Sequence, residues 1–483
     1  MTSLIYRTAG ELAAAIRKRE TTSEKVVQAH LERIHAYNDE LNAIVILTAD
    51  EALRQARDAD KALESGQIRG SLHGVPVTIK ESFNIAGLKT TSNFKPLKNN
   101  VAQEDALLVT RLKNAGAVIL GKTNLPMLCA DYQAFGPLYK RANNPYNTGC
   151  TTGGSTGGGA AAVASGMSPL EFGSDLGGSV RVPAHFCGLY SLKPTEFNAP
   201  ITGHVPPLPN AKGGVKHMAQ FGPLARSIDD LRIAFEIITG PDYRDVRSAP
   251  VNWERPRKKE FSSYRVAWTD TFREFRADRD TCGIMKNLVE KIGNANVQAV
   301  KTDLSKFDIA GAWDVWGTIF GFFIGQDLPW PVRLLLKIQY RAVYGTHFSR
   351  SAINGLNVNF LHYARVIKQR DALIAQLQTF FENYDFLLCP VTMAPAFTHR
   401  KSGKPIEVDG VKVPYLVAVC AFATPFNATG NPVVVIPAGQ SRDGLPIGIQ
   451  IVGPYWSDLE LLAFAEQISG LTEGFVPPPK YSI

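Results

Sequence analysis

The sequence has few cysteines for its length, and they form no pattern that would bind a metal or build a disulfide framework. Six cysteines are spread over 483 residues, and no two of them make a C-x-x-C pair. Zinc sites and small disulfide-bonded domains need closely spaced cysteines. We therefore expect no metal site, a reducing compartment, and apolar or pocket-wall positions for the thiols. They are Cys129, Cys150, Cys187, Cys282, Cys389 and Cys420.

The sequence also lacks a hydrophobic run long enough to cross a membrane. The longest run, Val315 to Ile324, has about ten residues and contains two glycines, whereas a spanning helix needs roughly 20 apolar residues. Residues 1–20 include acidic side chains and no continuous apolar segment, which favours an amphipathic helix over a signal peptide. We expect a cytoplasmic protein.

No dense block of like charge is present. The formal net charge is +8, but lysine and arginine are scattered, and no zinc-finger or RNP-type motif accompanies them. This distribution indicates a solubility property and not a nucleic-acid site. Hydrophobic residues make up 45% of the chain and charged residues 20%, which is typical of a soluble globular protein.

The N-terminal part of the chain shows helical periodicity. Residues 8–65 carry apolar side chains at helical spacing, as successive amphipathic helices do. Beyond them, short apolar runs alternate with helical patterns, with strands predicted at Val75–Ile79 and Ala117–Leu120 and a helix at Asp105–Asn114. This alternation predicts an α/β fold, a sheet with helices on both faces.

The second half of the chain first departs from this pattern and then returns to it. From about 245 to 345 the sequence is charged and then rich in aromatic residues, which suggests an additional helical lobe. Strand patterns return at 386–389, 433–436 and 447–452, and an apolar-periodic helix closes the chain near 459–468.

Residues 149–188 are unusually rich in glycine and contain two candidate nucleophiles. The first, Ser155, stands in a match to the G-x-S-x-G elbow of α/β-hydrolases. That motif requires a preceding strand, and we predict a loop over residues 142–152, which argues against the elbow. The tract also lacks the G-K-[ST] ending of a phosphate-binding loop.

The second candidate is Ser179, which follows Gly177 and Gly178. A serine behind two glycines leaves backbone N–H groups free to face the atom that the serine attacks, as an oxyanion hole requires. The alternative is that this segment is only a tight glycine turn.

Lys80 ends the apolar run that begins at Val75. A lysine buried there would lose hydration, which disfavours its charged form and lowers its pKa until it can accept a proton. Two alternatives stay open: an exposed lysine at a strand end, and a lysine kept charged by the adjacent Glu81.

Together these segments resemble the amidase signature family. The resemblance rests on HGVPVTIKES around Lys80, GGSTGGG around Ser155, GSDLGGSVRVPAHFCG around Ser179, LKPT at 192–195, GKTN at 121–124, NPYN at 144–147, and GNP with GLPIGIQIVGP near the C-terminus. These motifs cover most of the chain at the family's spacings.

The resemblance implies a Ser-cisSer-Lys triad. Ser179 would attack the amide carbonyl, Ser155 would sit on a cis peptide and bridge by hydrogen bonds, and neutral Lys80 would accept the proton through Ser155. Backbone N–H groups of Leu176, Gly177, Gly178 and Ser179 would hold the oxyanion. The product would be an acid plus ammonia or an amine, formed through an acyl-enzyme without a cofactor.

The resemblance also implies a single domain, 1–483, built on a central mixed twisted β-sheet. Within it we expect a helical cover over 1–70, a catalytic core over 71–240, a variable helical lobe over 245–380 and a return to the sheet over 381–483. A homodimer is compatible with this family.

Two positions in the matched segments depart from the family pattern. Thr156 stands where the family commonly has serine, and Leu176 where it commonly has threonine, so the finer hydrogen bonding of the loop differs. Asp175 and Arg181 match family positions, and we interpret them as structural partners of the loop. The two histidines within matched segments, His73 and His185, are interpreted as structural.

By resemblance, the acyl part of the substrate would meet Met127, Cys129, Tyr132 and Phe426, which favours a hydrophobic or aryl acyl group. Residues 328–344 place Arg333, Lys337 and Arg341 on one stripe of a predicted helix. Such a helix could lie on an anionic membrane, as in fatty acid amide hydrolases. We favour a buried lobe helix with one solvated face.

Three further alternatives are kept. A glutaminase component of a tRNA-dependent amidotransferase would need a site for the glutamine α-carboxylate, and the apolar pocket argues against it. A relative that binds amides without cleaving them is disfavoured because all three triad side chains are present. An esterase using Ser155 with a histidine would place the covalent adduct on Ser155.

Overall fold

The computed structural model describes residues 4–209, 217–244, 248, 250–251, 259–326, 328–344 and 347–482. The helices are α1 Ala9–Arg17, α2 Ser23–Leu41, α3 Ala49–Glu64, α4 Leu107–Asn114, α5 Gly157–Ala164, α6 Arg181–Phe186, α7 Ile228–Ile238, α8 Arg279–Asn294, α9 Ile309–Gly325, α10 Trp330–Tyr344, α11 His347–Gly355, α12 Phe360–Phe381, α13 Tyr415–Cys420, α14 Thr424–Thr429 and α15 Asp458–Ser469. The strands are β1 Ile44–Leu47, β2 Pro76–Lys80, β3 Val118–Thr123, β4 Asn143–Asn144, β5 Asn147–Thr151, β6 Leu170–Asp175, β7 Tyr190–Lys193, β8 Gln220–Ala225, β9 Arg265–Trp268, β10 Thr271–Phe272, β11 Phe275–Arg276, β12 Gln298–Lys301, β13 Phe386–Pro390, β14 Ile406–Val408, β15 Val411–Val413, β16 Val433–Gln440 and β17 Pro446–Val452.

A central sheet of eleven strands organises the molecule in the order β1-β3-β2-β6-β8-β7-β16-β17-β13-β9-β12. Strand β2 runs parallel to both β3 and β6, whereas β16 is antiparallel to β7 and β17, so the sheet is mixed. This confirms the α/β fold that the sequence predicts.

Both faces of the sheet are buried at its central strands, which explains why β13 and β17 are nearly continuous apolar runs. Side chains alternate between faces along a strand, and Val433 and Val435 join one hydrophobic core while Val434 and Ile436 join the other. Strand β13 divides in the same way.

The helical cover forms where the periodicity predicts it. Helix α1 begins with a capping box, in which the Thr8 side chain accepts from the Glu11 N–H and the Glu11 carboxylate accepts from the Thr8 N–H. Helix α2 is capped by the Thr22 hydroxyl. Strands β2, β3, β13, β16 and β17 and helix α15 also lie close to their predicted positions.

The predicted helical lobe over 245–380 needs correction, because part of that segment belongs to the central sheet. Strands β9 and β12 pair in parallel at one edge of the sheet, with α8 between them in the chain. Their exposed lysine and arginine side chains hide the strand pattern. The helical part, α9 to α12, begins at Ile309. The other parts of the division, over 1–70, 71–240 and 381–483, stay predictions.

Helix α10 contradicts the solvated polar face that we favour from the sequence. Trp330 and Leu335 are 63% and 66% exposed, whereas Arg333 and Lys337 are only partly exposed. The side chain of Arg341, the third cation of the predicted stripe, lies outside the described residues. The outward face of α10 is therefore largely apolar over its described part.

The start of α12 is exposed and apolar as well. Phe360 and Leu361 are two of the large hydrophobic residues that face solvent. Among the residues that the structure describes, no helix is long and apolar enough to cross a membrane.

The segment before Ser155 also differs from its prediction. Residues 142–152, predicted as a loop, contain the hairpin β4–β5. The turn of the hairpin forms because the Asn144 side chain accepts from the Tyr146 N–H and donates to Thr151 O. This hairpin is a two-stranded sheet separate from the central sheet. In an α/β-hydrolase the strand before the elbow belongs to the central sheet, so the hairpin does not supply that strand.

Candidate active site

Lys80, the last residue of β2, lies at the centre of a buried polar cluster. Its side chain is completely inaccessible to solvent. The Nζ atom lies 2.7 Å from Ser155 Oγ and 3.0 Å from Ser174 Oγ. The alternative of an exposed lysine at a strand end is therefore wrong.

Burial lowers the pKa of Lys80 from its ordinary value, because the charged form loses its hydration. Cys129, Asp175 and Glu171 oppose this shift. The neighbouring Glu81 does not pair with Lys80: its carboxylate accepts from Thr91, from the Ser92 N–H and from Tyr139. The alternative in which Glu81 keeps Lys80 charged is not supported by these contacts.

Ser155 lies in the turn that joins β5 to α5, and the Gly154–Ser155 peptide bond is cis. The turn and the first residues of α5 pass close to other backbone, which explains their glycines. A Cβ at Gly154 would lie 2.4 Å from Asp131 O, and one at Gly158 would lie 2.4 Å from the Asn124 nitrogen. Larger residues would push Ser155 away from Lys80.

Ser179 lies beside this turn. The Thr156 N–H donates to Ser179 O (3.1 Å), which joins the two serine-bearing loops through their backbones. Ser179 lines a cavity and is 9% exposed. Within the described residues, no hydrogen bond joins the Ser155 and Ser179 hydroxyls.

A buried ion pair holds the Ser179 loop. Arg181 donates Nη2 to Asp175 Oδ1 (3.0 Å) and Nε to Asp175 Oδ2 (3.1 Å), and both side chains are fully buried. Asp175 also accepts from the N–H groups of Gly178 and Val180. Burial alone would raise the pKa of the Asp175 carboxyl, but Arg181 and these hydrogen bonds hold it well below its usual range. The two residues are the structural partners that the sequence predicts.

The predicted oxyanion donors need one correction. The Gly178 N–H donates to Asp175 Oδ1 (2.8 Å), so it is already engaged. Among the described residues, no hydrogen bond engages the N–H groups of Leu176, Gly177 or Ser179. The sequence shows two small residues before a serine, but it does not show which way each N–H points.

Two aromatic side chains orient the peptide planes of this loop. Trp316 Nε1 donates to Leu176 O (2.8 Å), and the Tyr132 hydroxyl donates to Gly177 O (2.6 Å). A trans peptide directs its N–H opposite to its carbonyl. The Gly177 N–H therefore points away from Trp316.

The cavity beside Ser179 is mainly apolar. Trp316 and Phe320 stack with ring centroids 5.1 Å apart and an interplanar angle of 8°. The remaining lining residues come from four other segments of the chain. They are Cys129, Ala130, Asp131, Tyr132, Leu176, Gly177, Ala352 and Leu416.

Two of the four predicted substrate contacts lie outside this cavity. Cys129 and Tyr132 line it. Met127 is 45% exposed at the surface, and Phe426 is completely buried in α14, beside Phe272. Sequence analysis missed Trp316, because the aromatic lobe gives no indication of which residue faces the serine.

Two polar residues near Lys80 were also missed. Ser174 stands inside the matched motif, so its position was visible although its contact was not. His204 lies 2.9 Å from Ser174 and comes from a loop with no periodic pattern. The structural interpretation of His73 and His185 agrees with their contacts, since both rings bond to backbone groups.

The described part of the chain offers no cluster of three or more metal-ligating side chains. All six cysteines are free thiols. Burial raises the pKa of Cys420 to about 12 and raises that of Cys389 and Cys187 further. These three thiols are completely buried.

Comparison with known proteins identifies this arrangement. The family model named Amidase matches residues 25–462. The chain belongs to the amidase family. It is accordingly an amide-hydrolysing enzyme, and its mixed eleven-stranded sheet is the fold of solved amidase signature structures.

Known amidase family members resemble the chain over nearly its whole length. It is 30% identical to an acylamidase of Rhodococcus erythropolis (96% of this chain, 95% of the relative) and 31% identical to an indoleacetamide hydrolase of Bradyrhizobium diazoefficiens (94% and 84%). One component of the glutamyl-tRNA(Gln) amidotransferase of Moorella thermoacetica is 29% identical (97% and 97%). A solved chain from a vestigial protein complex, described in connection with the origins of an s-triazine catabolic enzyme, has a TM-score of 0.83 at 26% identity (97% and 100%).

Proposed function

We propose that the protein hydrolyses carboxylic amides with a hydrophobic or aryl acyl group through an acyl-enzyme on Ser179. The observation that carries this proposal is the buried Lys80, 2.7 Å from Ser155, in a loop arrangement that places Ser179 on an apolar cavity. A neutral amine in that position is a base that needs no histidine.

The proposed reaction moves one proton along the three residues. On substrate binding the Ser179 hydroxyl turns toward Ser155, passes its proton to Ser155 Oγ as the Ser155 proton moves to Lys80 Nζ, and attacks the carbonyl carbon. Catalytic hydrogen bonds often tighten only in the substrate complex. The N–H groups of Leu176, Gly177 and Ser179 hold the oxyanion, each contributing about 3 kcal/mol in the transition state.

Collapse of the tetrahedral intermediate breaks the C–N bond. The Lys80 ammonium returns its proton through Ser155 to the leaving nitrogen, which departs as ammonia or an amine. Water then attacks the ester on Ser179 with neutral Lys80 again as the base, releasing the acid and restoring the hydroxyl.

The cavity supports the choice of acyl group. The stacked pair Trp316 and Phe320 provides a flat aromatic wall, and the indole is fixed by its bond to Leu176 O. Flat apolar groups bury most surface against such a wall. The name of one relative, indoleacetamide hydrolase, agrees with this choice.

The glutaminase alternative is disfavoured by the charge of the cavity. Glutamine carries an α-carboxylate, which requires a cationic partner in a buried site. None of the described residues that line the cavity is basic, and one of them is Asp131. Burial raises the pKa of Asp131, whose carboxylate accepts from Tyr415.

A panel of aryl, indole-acetyl, short aliphatic and long-chain amides and glutamine tests the proposal. We expect the highest kcat/KM for aryl or indole-acetyl amides and no turnover of any amide by Lys80→Ala. Trp316→Ala should reduce kcat/KM for aryl amides more than for short aliphatic ones. Glutamine as the preferred substrate would overturn the acyl-group assignment, and turnover by Lys80→Ala would remove lysine from the mechanism.

The exposed apolar face of α10 favours a second candidate, hydrolysis of a lipid amide taken from a membrane surface. Helix α10 packs on α11, which contributes Ala352 to the cavity, so the apolar face and the cavity belong to adjacent elements. Side chains of residues 328–338 that face outward would meet the lipid. Long-chain amides as the best substrates would favour this candidate.

A further inference from the structure

A chain of hydrogen bonds continues from Lys80 through its second hydroxyl partner, Ser174. Ser174 Oγ lies 3.0 Å from Lys80 Nζ and 2.9 Å from His204 Nε2. The other ring nitrogen of His204, Nδ1, lies 2.8 Å from Pro206 O. The imidazole stands edge-on to Phe83, with ring centroids 4.9 Å apart.

These contacts determine the tautomer of His204. A carbonyl oxygen accepts hydrogen bonds and cannot donate, so Nδ1 must carry the proton in its contact with Pro206 O. Burial lowers the pKa of His204 to about 3, so the ring is neutral. Its Nε2 is therefore an acceptor.

The acceptor nitrogen lies 2.9 Å from two hydroxyls, those of Ser174 and Ser82, and either can donate to it. When the Ser174 O–H donates to His204 Nε2, the Ser174 oxygen has only lone pairs to offer Lys80. A neutral lysine amine has two N–H bonds and one lone pair. One N–H then points to Ser174, which leaves the lone pair available to the Ser155 hydroxyl.

We propose that His204 is a positioning residue, which acts through Ser174 to direct the lone pair of neutral Lys80 toward Ser155. This inference rests on the proposed function, because it assumes that Lys80 is the base. Without His204, the Ser174 O–H is free to turn and donate to the lone pair itself, which takes the base out of the proton path.

Ser82 provides a matched control. Its hydroxyl lies at the same distance, 2.9 Å, from the same His204 nitrogen, but among the described contacts it has none with Lys80. If His204 only supports the fold, loss of Ser82 and loss of Ser174 should have similar effects on catalysis. If His204 acts through Ser174, loss of Ser174 should lower kcat strongly, whereas loss of Ser82 should leave most of kcat.

The test compares His204→Leu, His204→Gln, Ser174→Ala, Ser82→Ala and the double variant Ser174→Ala/His204→Leu. General-base catalysis contributes roughly 10²- to 10⁴-fold, and we expect His204→Leu to lower kcat by about 10- to 100-fold with KM within about twofold. His204→Gln should recover most of kcat, because its amide oxygen accepts and its amide nitrogen donates. Ser82→Ala should keep more than half of kcat.

The pH profile supplies a readout that a fold defect would not move. The groups that face Lys80 are Cys129, Asp175, Glu171 and His204, from four different positions in the chain. A Ser174 hydroxyl that donates to Lys80 stabilises its neutral form. In His204→Leu the acidic limb of kcat/KM should therefore move to lower pH while the plateau falls.

Three results would each overturn the proposal. The first is an acidic limb of kcat/KM that does not move in His204→Leu. The others are kcat losses of Ser174→Ala and His204→Leu that multiply in the double variant, and a kcat loss in Ser82→Ala as large as that in His204→Leu. Should His204→Leu fail to fold, His204→Phe carries the same pH test, and His204→Gln should keep the wild-type acidic limb. Lys80→Ala is assayed in parallel. Turnover by Lys80→Ala would refute the proposed function itself, whereas an inactive Lys80→Ala with a normal His204→Leu would refute only the role of His204.

Discussion

The hydrogen-bond partners of each buried ionisable residue of the site determine whether burial shifts its pKa toward the neutral form. Asp175 and Arg181 meet in a bidentate pair, so both stay charged without solvent. Glu171, on the neighbouring strand β6, accepts from the Thr123 hydroxyl, and among the described residues it has no cation in hydrogen-bond contact. Burial raises its pKa to about 8. Burial likewise lowers the pKa of Lys80, whose Nζ contacts the hydroxyls of Ser155 and Ser174.

At the residue scale, removing one half of the ion pair should destabilise the protein strongly. Arg181→Met leaves the Asp175 charge buried and uncompensated, which typically costs about 3–5 kcal/mol. We expect a loss of that size in the free energy of unfolding, measured in urea.

The double variant Asp175→Asn/Arg181→Met is the control. It removes both charges, so it should recover part of the lost stability while the Ser179 loop, now without its carboxylate, loses activity. A single Arg181→Met variant within about 1 kcal/mol of the wild type would show that the pair does not hold the loop.

At the scale of elements, the wall of the cavity depends on a close crossing of α9 and α11. A Cβ at Gly321 would lie 2.0 Å from Ala352 O, and one at Gly355 would lie 2.2 Å from Thr318 O. The same two helices carry Trp316, Phe320 and Ala352 into the cavity. Small residues at the crossing therefore fix the distance between the two sides of the wall.

Gly321→Ala should push the two helices apart. Overpacking of this kind typically costs about 1–3 kcal/mol, and the displaced wall should also raise KM for aryl amides. Thermal unfolding and steady-state kinetics measure the two effects.

Gly283→Ala, in α8, is the matched control. A Cβ there meets nothing within 4 Å, so the same substitution should stabilise the protein by about 0.5–1 kcal/mol. If Gly321→Ala and Gly283→Ala had the same free energy of unfolding, the close crossing of α9 and α11 would be contradicted.

Sequence patterns predict elements well where burial is uniform and poorly where pairing depends on distant residues. Strands β13, β16 and β17 are apolar runs, and the sequence predicts them because both of their faces are covered. Strand β12 is an edge strand and β9 lies next to it; both have exposed basic side chains, Lys301 and Arg265, and the sequence pattern misses them. The positions of the proposed triad follow from motifs, but the contact of His204 with Ser174 joins a loop to a strand and has no sequence signal.

For the molecule as a whole, the most unusual surface feature is the exposed apolar face formed by α10 and the start of α12. Trp330, Leu335 and Phe360 are each more than 60% exposed. The helix also carries Arg333 and Lys337, and the chain has a formal net charge of +8. Apolar side chains with flanking cations suit the surface of an anionic bilayer.

Co-sedimentation with phosphatidylglycerol vesicles tests this surface. We expect binding by the wild type, a loss of about tenfold or more in Leu335→Glu, and weaker binding to phosphatidylcholine vesicles, because the cations lose their partner. Val411→Glu alters a similarly exposed apolar residue elsewhere and should bind as the wild type does. Equal binding by wild type and Leu335→Glu would exclude the lipid candidate.

The most direct measurement on the central claim is the site of a covalent adduct. A fluorophosphonate captures an activated serine, and peptide mapping by mass spectrometry then locates it. We predict a single adduct on Ser179, no adduct in Ser179→Ala, and much slower labelling in Lys80→Ala, since the lysine supplies the base. An adduct on Ser155, or labelling of Lys80→Ala at the wild-type rate, would contradict the proposed mechanism.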